Sequence, residues 1–217
     1  MIRAVGFDLD YTLVVPERDR QTLLHEASKA VDAPLFDRQA YLDAHRRNLS
    51  NETREPIFKD LLEDHETPVS PAELSDAYQH AINNSLIALE GAAQLVTDLR
   101  NEYRVGLLTD GPIEAQQAKL ERLGWQDLFD TVLISGSLPA GKPDHRAFRS
   151  LLAELDTVPE ESVYIGDHAD LDIRGATDMN MHAIHVIGPD DDPSPLADAV
   201  LTRDELVARL PDVLKTL

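Results

Sequence analysis

The chain alternates short apolar runs with longer stretches in which apolar residues recur every three or four positions. Residues 2–10 (IRAVGFDLD) have the apolar density of a strand buried on both faces. RVGLLTD (104–110), TVLISG (131–136), SVYIGD (162–167) and HAIHVIG (182–188) repeat that pattern, and AVLT (199–202) gives a last short strand. Helical stripes lie between them in QLVTDLRNEY, EAQQAKLERLG, HRAFRSLLAELD and DLDIRGATDM, and a further one ends the chain in RDELVARLPDVLKTL. Gly124 stands where a helix C-terminus needs a left-handed residue. Strand and helix alternating in this way predict an α/β fold, a doubly wound parallel sheet.

The segment from Val15 to Leu89 breaks the alternation. It has no strand-like run and four helical ones: TLLHEASKAV, AYLDAHRRNL, IFKDLLEDH and AELSDAYQHAINNSLIAL. Such a block is too long for a loop inside a compact domain. The expected organisation is therefore a core made of residues 1–14 and 90–217, with residues 15–89 inserted after the first strand as a smaller, all-helical domain.

Composition narrows the chemistry. The 217 residues include no cysteine, which removes disulfides, thiolate metal sites and cysteine nucleophiles and leaves oxygen or histidine as metal ligands. The net charge of −20 disfavours nucleic acid and anionic membrane surfaces as partners, so a small anionic substrate would need a local cation. There are 25 Asp and only 5 Lys against 15 Arg, a composition that resembles proteins of high-salt cytoplasm, where salt screens the self-repulsion. The N-terminus runs into a strand with no basic and apolar leader, and no apolar run approaches membrane-spanning length, so the expected location is the cytoplasm.

Four strand ends carry candidate chemistry. Side chains alternate along a strand, so Asp8 and Asp10 share a side at the carboxyl edge of the sheet, where open α/β sheets bind ligands. Two like charges so placed repel unless a cation lies between them. In LLTDG, the Thr109 hydroxyl and the turn at Asp110 and Gly111 suit an anion. In AGKPD, Lys142 follows a strand and can neutralise an anionic site, although a solvated surface position is the default for a lysine. In YIGDHADLD, Asp167 ends a strand as a ligand for a hard cation. Asp170 and Asp172 fit equally well as first-turn partners of a helix dipole.

Taken together, these segments resemble the haloacid dehalogenase-like superfamily, in order and along nearly the whole chain. The matching residues are Asp8, Asp10 and Thr12 in DxDxT, Thr109 at a strand end, Lys142 before Pro, and Asp167 and Asp172 in GDxxxxD. The resemblance implies a Rossmann-like core with a helical first-type cap and an aspartyl-phosphate mechanism. In it Asp8 attacks phosphorus, Asp10 moves protons, and Thr109 and Lys142 hold the phosphoryl oxygens. It implies Mg2+ held by Asp8, Asp10 through its main-chain carbonyl, and Asp167, with Asp172 as a further candidate. The implied substrate is a small-molecule phosphate ester, with Thr12, Asp110 and Gly111 lining its site and Arg46, Arg47 and Arg54 able to reach it from the cap. His25, His45 and His168 are further candidates, with His168 next to Asp167 the nearest to the site. An acid two residues after the nucleophile argues for phosphate esters over carbon-halogen bonds, and a sugar-phosphate mutase would use the same segments. A phospho-acceptor signalling module would have a shorter, uninterrupted domain. Asp110 and Tyr11 depart from the family pattern, and the charge of Asp110 beside a phosphate is unfavourable unless it is paired.

Overall fold

The computed structural model describes residues 1–48 and 52–217. Six strands form one parallel sheet: β1 (Ala4–Phe7), β4 (Arg104–Thr109), β5 (Thr131–Ile134), β6 (Ser162–Gly166), β7 (His182–Ile187) and β8 (Ala199–Thr202). Their order is β5-β4-β1-β6-β7-β8. The first strand therefore sits between β4 and β6, in register Phe7↔Leu107 and Phe7↔Ile165. That arrangement brings Asp8, Thr109 and Asp167, distant in sequence, to the carboxyl ends of three adjacent strands.

Alternation along the buried strands feeds two apolar layers. Val5, Phe7 and Leu107 pack under α5 (Ala92–Leu99) and α9 (Arg203–Leu214), with Leu120 of α6 (Ile113–Leu123) in the same layer. Ala4, Leu108 and Tyr164 face α7 (His145–Glu154) and the short α8 (Arg174–Thr177). Gly6 and Gly106 are register partners, and a Cβ on either would stand 2.7 Å from a Leu151 methyl. The two glycines let α7 sit directly on the sheet, and the fully buried Leu151 contributes roughly 2–3 kcal/mol there.

The inserted block holds α1 (Arg20–Ala30), α2 (Arg38–Arg47), α3 (Glu55–Leu62) and α4 (Pro71–Ser85) around a separate apolar cluster. Tyr41, Phe58 and Tyr78 meet there edge-on or tilted, with centroids 5.1–5.8 Å apart. The end of the AYLDAHRRNL run, Leu49, lies outside the described residues.

The structure corrects the sequence reading in two places. The Val15–Leu89 segment is not purely helical: β2 (Val14–Pro16) pairs antiparallel with β3 (Leu86–Ala88), in register Val15↔Ile87. These three-residue strands are too short to show a period of two, and they clamp together the two points where the chain enters and leaves the block. DLDIRGATDM is not one helix either; it splits into a π-helical turn over Ala169–Ile173 followed by α8.

Candidate active site

At the end of β1 the two aspartates separate into different electrostatic environments. Asp8 is buried, and Oδ1 accepts from Lys142 Nζ at 2.6 Å while Oδ2 lies 3.4 Å from the Thr12 hydroxyl that donates to it. Lys142 Nζ spends its other two protons on Asp172 at 2.7 Å and on the Tyr164 hydroxyl at 3.1 Å. Tyr164 in turn donates to the Leu108 carbonyl at 2.7 Å. An ammonium group has three donors, so Lys142 is saturated and fixed. Burial opposes its charge, but Asp172 and Asp8 outweigh that and hold its pKa well above the usual lysine range.

Asp8, Asp167 and Asp172 each present a carboxylate oxygen within 4.8 Å of the others. Lys142 pairs with two of the three carboxylates, Asp8 and Asp172. Burial, opposed by Lys142 and assisted by Asp172, pushes Asp8 up to about 7. Burial and the charges of Asp8 and Asp172 push Asp167 up to about 8. An all-oxygen set with surplus negative charge fits a hard divalent cation. Asp172 spends one oxygen on Lys142 and the other on the His168 amide at 2.9 Å, so Asp8 and Asp167 are the freer donors. A Cβ on Gly166 would collide with the Asp172 carboxyl group, so this strand end accepts only glycine.

Asp10 looks the other way. Its carboxylate pairs with Arg20 at 2.9 Å and with Lys119, and accepts from Gln116 Nε2 at 3.2 Å. Burial alone would raise it, but the charges of Lys119 and Arg20 prevail and hold it well below the usual carboxylate range. Lys119, with a side chain only 2% exposed, is pushed down to about 8, chiefly by its burial. Gln116 also donates to the buried Thr109 hydroxyl, which ties Thr109 to Asp10.

Other expected residues fall differently. The Asp110 carboxylate accepts from the Lys142 main-chain amide at 3.1 Å, and the Gly111 amide donates to Ser135 Oγ at 2.9 Å. The first bond ties Asp110 to the Lys142 loop and the second ties Gly111 to the turn after β5, so the Asp110 carboxylate is paired. Arg46 and Arg47 are 64% and 60% exposed and pair with Asp43 and Asp60, so α2 turns them to solvent instead of toward Asp10. Arg54 is buried and faces inward. His168 caps the π-helical turn through Nδ1, and His25 bonds Gln21 within the block. Tyr11, at φ 63°, lies between the guanidinium groups of Arg20 and Arg203.

Sequence reasoning missed Arg20, Gln116, Lys119 and His185. His185 Nδ1 accepts from the Ser194 amide at 3.0 Å, so Nε2 carries the proton it donates to the Asp167 carbonyl at 2.8 Å. A signal existed for two of the four. Gln116 and Lys119 interrupt the inward stripe of α6 between Ala115 and Leu120, and a polar residue on an apolar stripe calls for a partner.

Comparison with known proteins agrees with this layout. The family model described as haloacid dehalogenase-like hydrolase matches residues 5–186. A ribulose-1,5-bisphosphate 5-phosphatase of Halopiger xanaduensis is 30% identical over 94% of this chain and 90% of that one. A phosphoserine phosphatase of Thermus thermophilus is 34% identical over 61% of this chain, and the match spans about half, 54%, of that relative's length. The crystal structure of an HAD phosphatase from Thermococcus onnurineus superposes with a TM-score of 0.71 at 24% identity, over 98% of each chain, a likeness of fold. Among the described residues no helix is long and apolar enough to cross a membrane.

Proposed function

The chain belongs to the haloacid dehalogenase-like hydrolase family, and on that premise we propose that it is a magnesium-dependent phosphoric monoester hydrolase acting on a small phosphorylated metabolite. The observation that carries this reading is the division of labour between Asp8 and Asp10. One carboxylate sits among Lys142, Thr12 and two further acids; the other, two residues on, is held by separate cations.

Asp8 is the nucleophile: its carboxylate oxygen bonds to phosphorus as the ester oxygen leaves, forming an aspartyl phosphate that water then hydrolyses. Lys142, its three protons already placed, fixes the Asp8 carboxylate and lends its positive charge, while the Thr109 hydroxyl holds a phosphoryl oxygen as charge spreads over the group. Asp10, kept ionised by Lys119 and Arg20, takes the proton of the attacking water in the second step. Protonating the leaving oxygen in the first step requires Asp10 to carry a proton, and an anionic substrate that takes over Lys119 and Arg20 allows it to do so. Asp8 and Asp167 would hold Mg2+, with the Asp10 main-chain carbonyl as the resemblance implies and Asp172 orienting the set. When bound, the ion supplies charge that relieves the repulsion between the acidic cluster and an anionic substrate. The helical block, residues 15–89, is read as the cap that covers the substrate and excludes water.

The test is release of inorganic phosphate from a panel of small phosphate esters in molar potassium chloride, with and without Mg2+, for wild type and Asp8→Asn. Turnover that needs the ion and vanishes in the variant supports the reading. Turnover that survives Asp8→Asn refutes it. Phosphoryl transfer to a second hydroxyl of a sugar phosphate without release to water would identify a mutase on the same residues.

A further inference from the structure

On the Asp10 side of the site, the helical block turns cationic groups inward without matching them with acids. Arg54, just before α3, is 8% exposed; one guanidinium nitrogen donates to the Gln79 side chain and the group lies 5.6 Å from the Tyr78 centroid. Its Nε is buried with no hydrogen-bond partner. Arg38 opens α2 with its guanidinium 5.2 Å from the Tyr41 centroid, and its Nη1 is buried and unpartnered in the same way. His45 stacks on the other end of that network, 6.0 Å from Tyr41, and its Nδ1 is also buried without a partner. Among the described residues neither Arg38 nor Arg54 has a carboxylate within ion-pair distance. Burial, together with the charges of Arg54, Arg38 and Lys119, pushes His45 down to about 4, so it is neutral at pH 7, with one ring nitrogen a donor and the other an acceptor.

Three buried polar atoms left unsatisfied on three neighbouring side chains, two of them guanidinium donors, are costly, each by roughly 1–3 kcal/mol, and native proteins seldom keep them without a reason. Two unneutralised guanidinium groups in a chain of net charge −20 make a neutral ligand a poor explanation. The cluster is also joined to the reaction centre. Gln79, which accepts from Arg54, donates to the Ala115 carbonyl of α6, the helix whose Gln116 and Lys119 hold Asp10. Planar guanidinium forks match the oxygens of carboxylate and phosphate.

We propose that Arg38, His45 and Arg54 form a second oxyanion subsite, so that the substrate is a phosphate ester carrying a further anionic group, a second phosphate or a carboxylate, at the end remote from the scissile phosphate. This rests on the phosphatase reading and narrows its substrate class. The transferring phosphoryl group belongs to Asp8, Thr109 and Lys142; the far anion belongs to the helical block.

The experiment compares kcat/KM for a pentitol monophosphate, the matching phosphopentonate and the pentitol bisphosphate, whose far ends are hydroxyl, carboxylate and phosphate. Wild type favours a charged far end by about tenfold or more, the scale of one charge-assisted hydrogen bond. Arg54→Gln and Arg38→Gln each lower that charged-to-neutral ratio about tenfold, and Arg54→Lys restores part of it; a thermal melt of each variant checks that it is folded. Which charged end is preferred names the anion. A wild-type ratio near one, or variants that change all three esters equally, overturns the proposal. If no ester is hydrolysed, the phosphatase reading fails, and calorimetric binding of the bisphosphate decides the subsite alone: binding lost in Arg54→Gln supports it, and absence of binding to wild type overturns it.

Discussion

Removing the charge of Asp167 should stabilise the metal-free protein, and the pH dependence of that gain follows from the site. Asp167 lies within 4.8 Å of the Asp8 and Asp172 carboxylates, and Lys142 pairs with those two only. Its pKa is raised from the usual carboxylate value to about 8 in the fold, by burial first and then by its acidic neighbours. A group raised on folding binds more protons in the native state than in the unfolded chain, so stability falls as pH rises toward the folded pKa. The slope is ~1.4 kcal/mol per pH unit for one proton, so the interval from pH 6.5 to 8 amounts to about 2 kcal/mol for Asp167 alone. Asp8, raised to about 7, adds to the loss over the first part of that interval. His45 is depressed to about 4 and exerts its opposite effect below its unfolded value, while Lys119, depressed to about 8, exerts its own above that pH. The interval is therefore read through the acidic cluster. Urea unfolding in chelator at a series of pH values should show wild type losing stability from pH 6.5 to 8. Asp167→Asn should be more stable at pH 8 and lack most of that slope, and Mg2+ should remove it from wild type. A flat or rising wild-type profile, or a variant no more stable than wild type, refutes the electrostatic account of the cluster.

Three further outcomes follow from the geometry. Tyr164→Phe leaves one Lys142 proton and the Leu108 carbonyl without a buried partner while keeping the ring packed on Phe148, so urea unfolding should show a loss of about 1–3 kcal/mol; a change near zero would mean that Lys142 finds another acceptor. Lys119→Met removes the cation that most lowers Asp10, so carbon NMR titration should move the Asp10 midpoint upward, and an unmoved midpoint would leave Arg20 as the sole controlling charge. Phe58→Ala empties the middle of the block's own cluster and should cost ~3–5 kcal/mol, read by hydrogen exchange as lost protection in α3 and α4 before the sheet; equal loss in β1 and β4 would mean that the block has no separate core.

The sheet was legible because its strands are buried on both faces and announce themselves as apolar runs between helical stripes. The meeting of Asp8, Thr109 and Asp167 was legible because a parallel sheet converts sequence position into spatial position at one edge, whereas Lys142 reaches Asp8 from the loop well past β5. What lay beyond the sequence depended on the phase and placement of helices. Arg46, Arg47 and Arg54 look alike as letters, and only the rotation of α2 and the turn before α3 put the first two in solvent and the third inside. Arg20 and Lys119 come to Asp10 from opposite sides, one from the inserted block and one from the core, and no local pattern links them. Asp110 shows the same limit: its pairing with the Lys142 amide, 32 residues away, is not written in LLTDG.

The central claim is that Asp8 carries the phosphoryl group. Rapid acid quench of the enzyme turning over a hydrolysed ester with Mg2+, followed by peptide mapping by mass spectrometry, tests it most directly. The account predicts one acid-stable, hydroxylamine-labile phosphoryl adduct on the peptide containing Asp8, lost in Asp8→Asn. Steady turnover with no adduct on that peptide, or an adduct that persists in the variant, would contradict it.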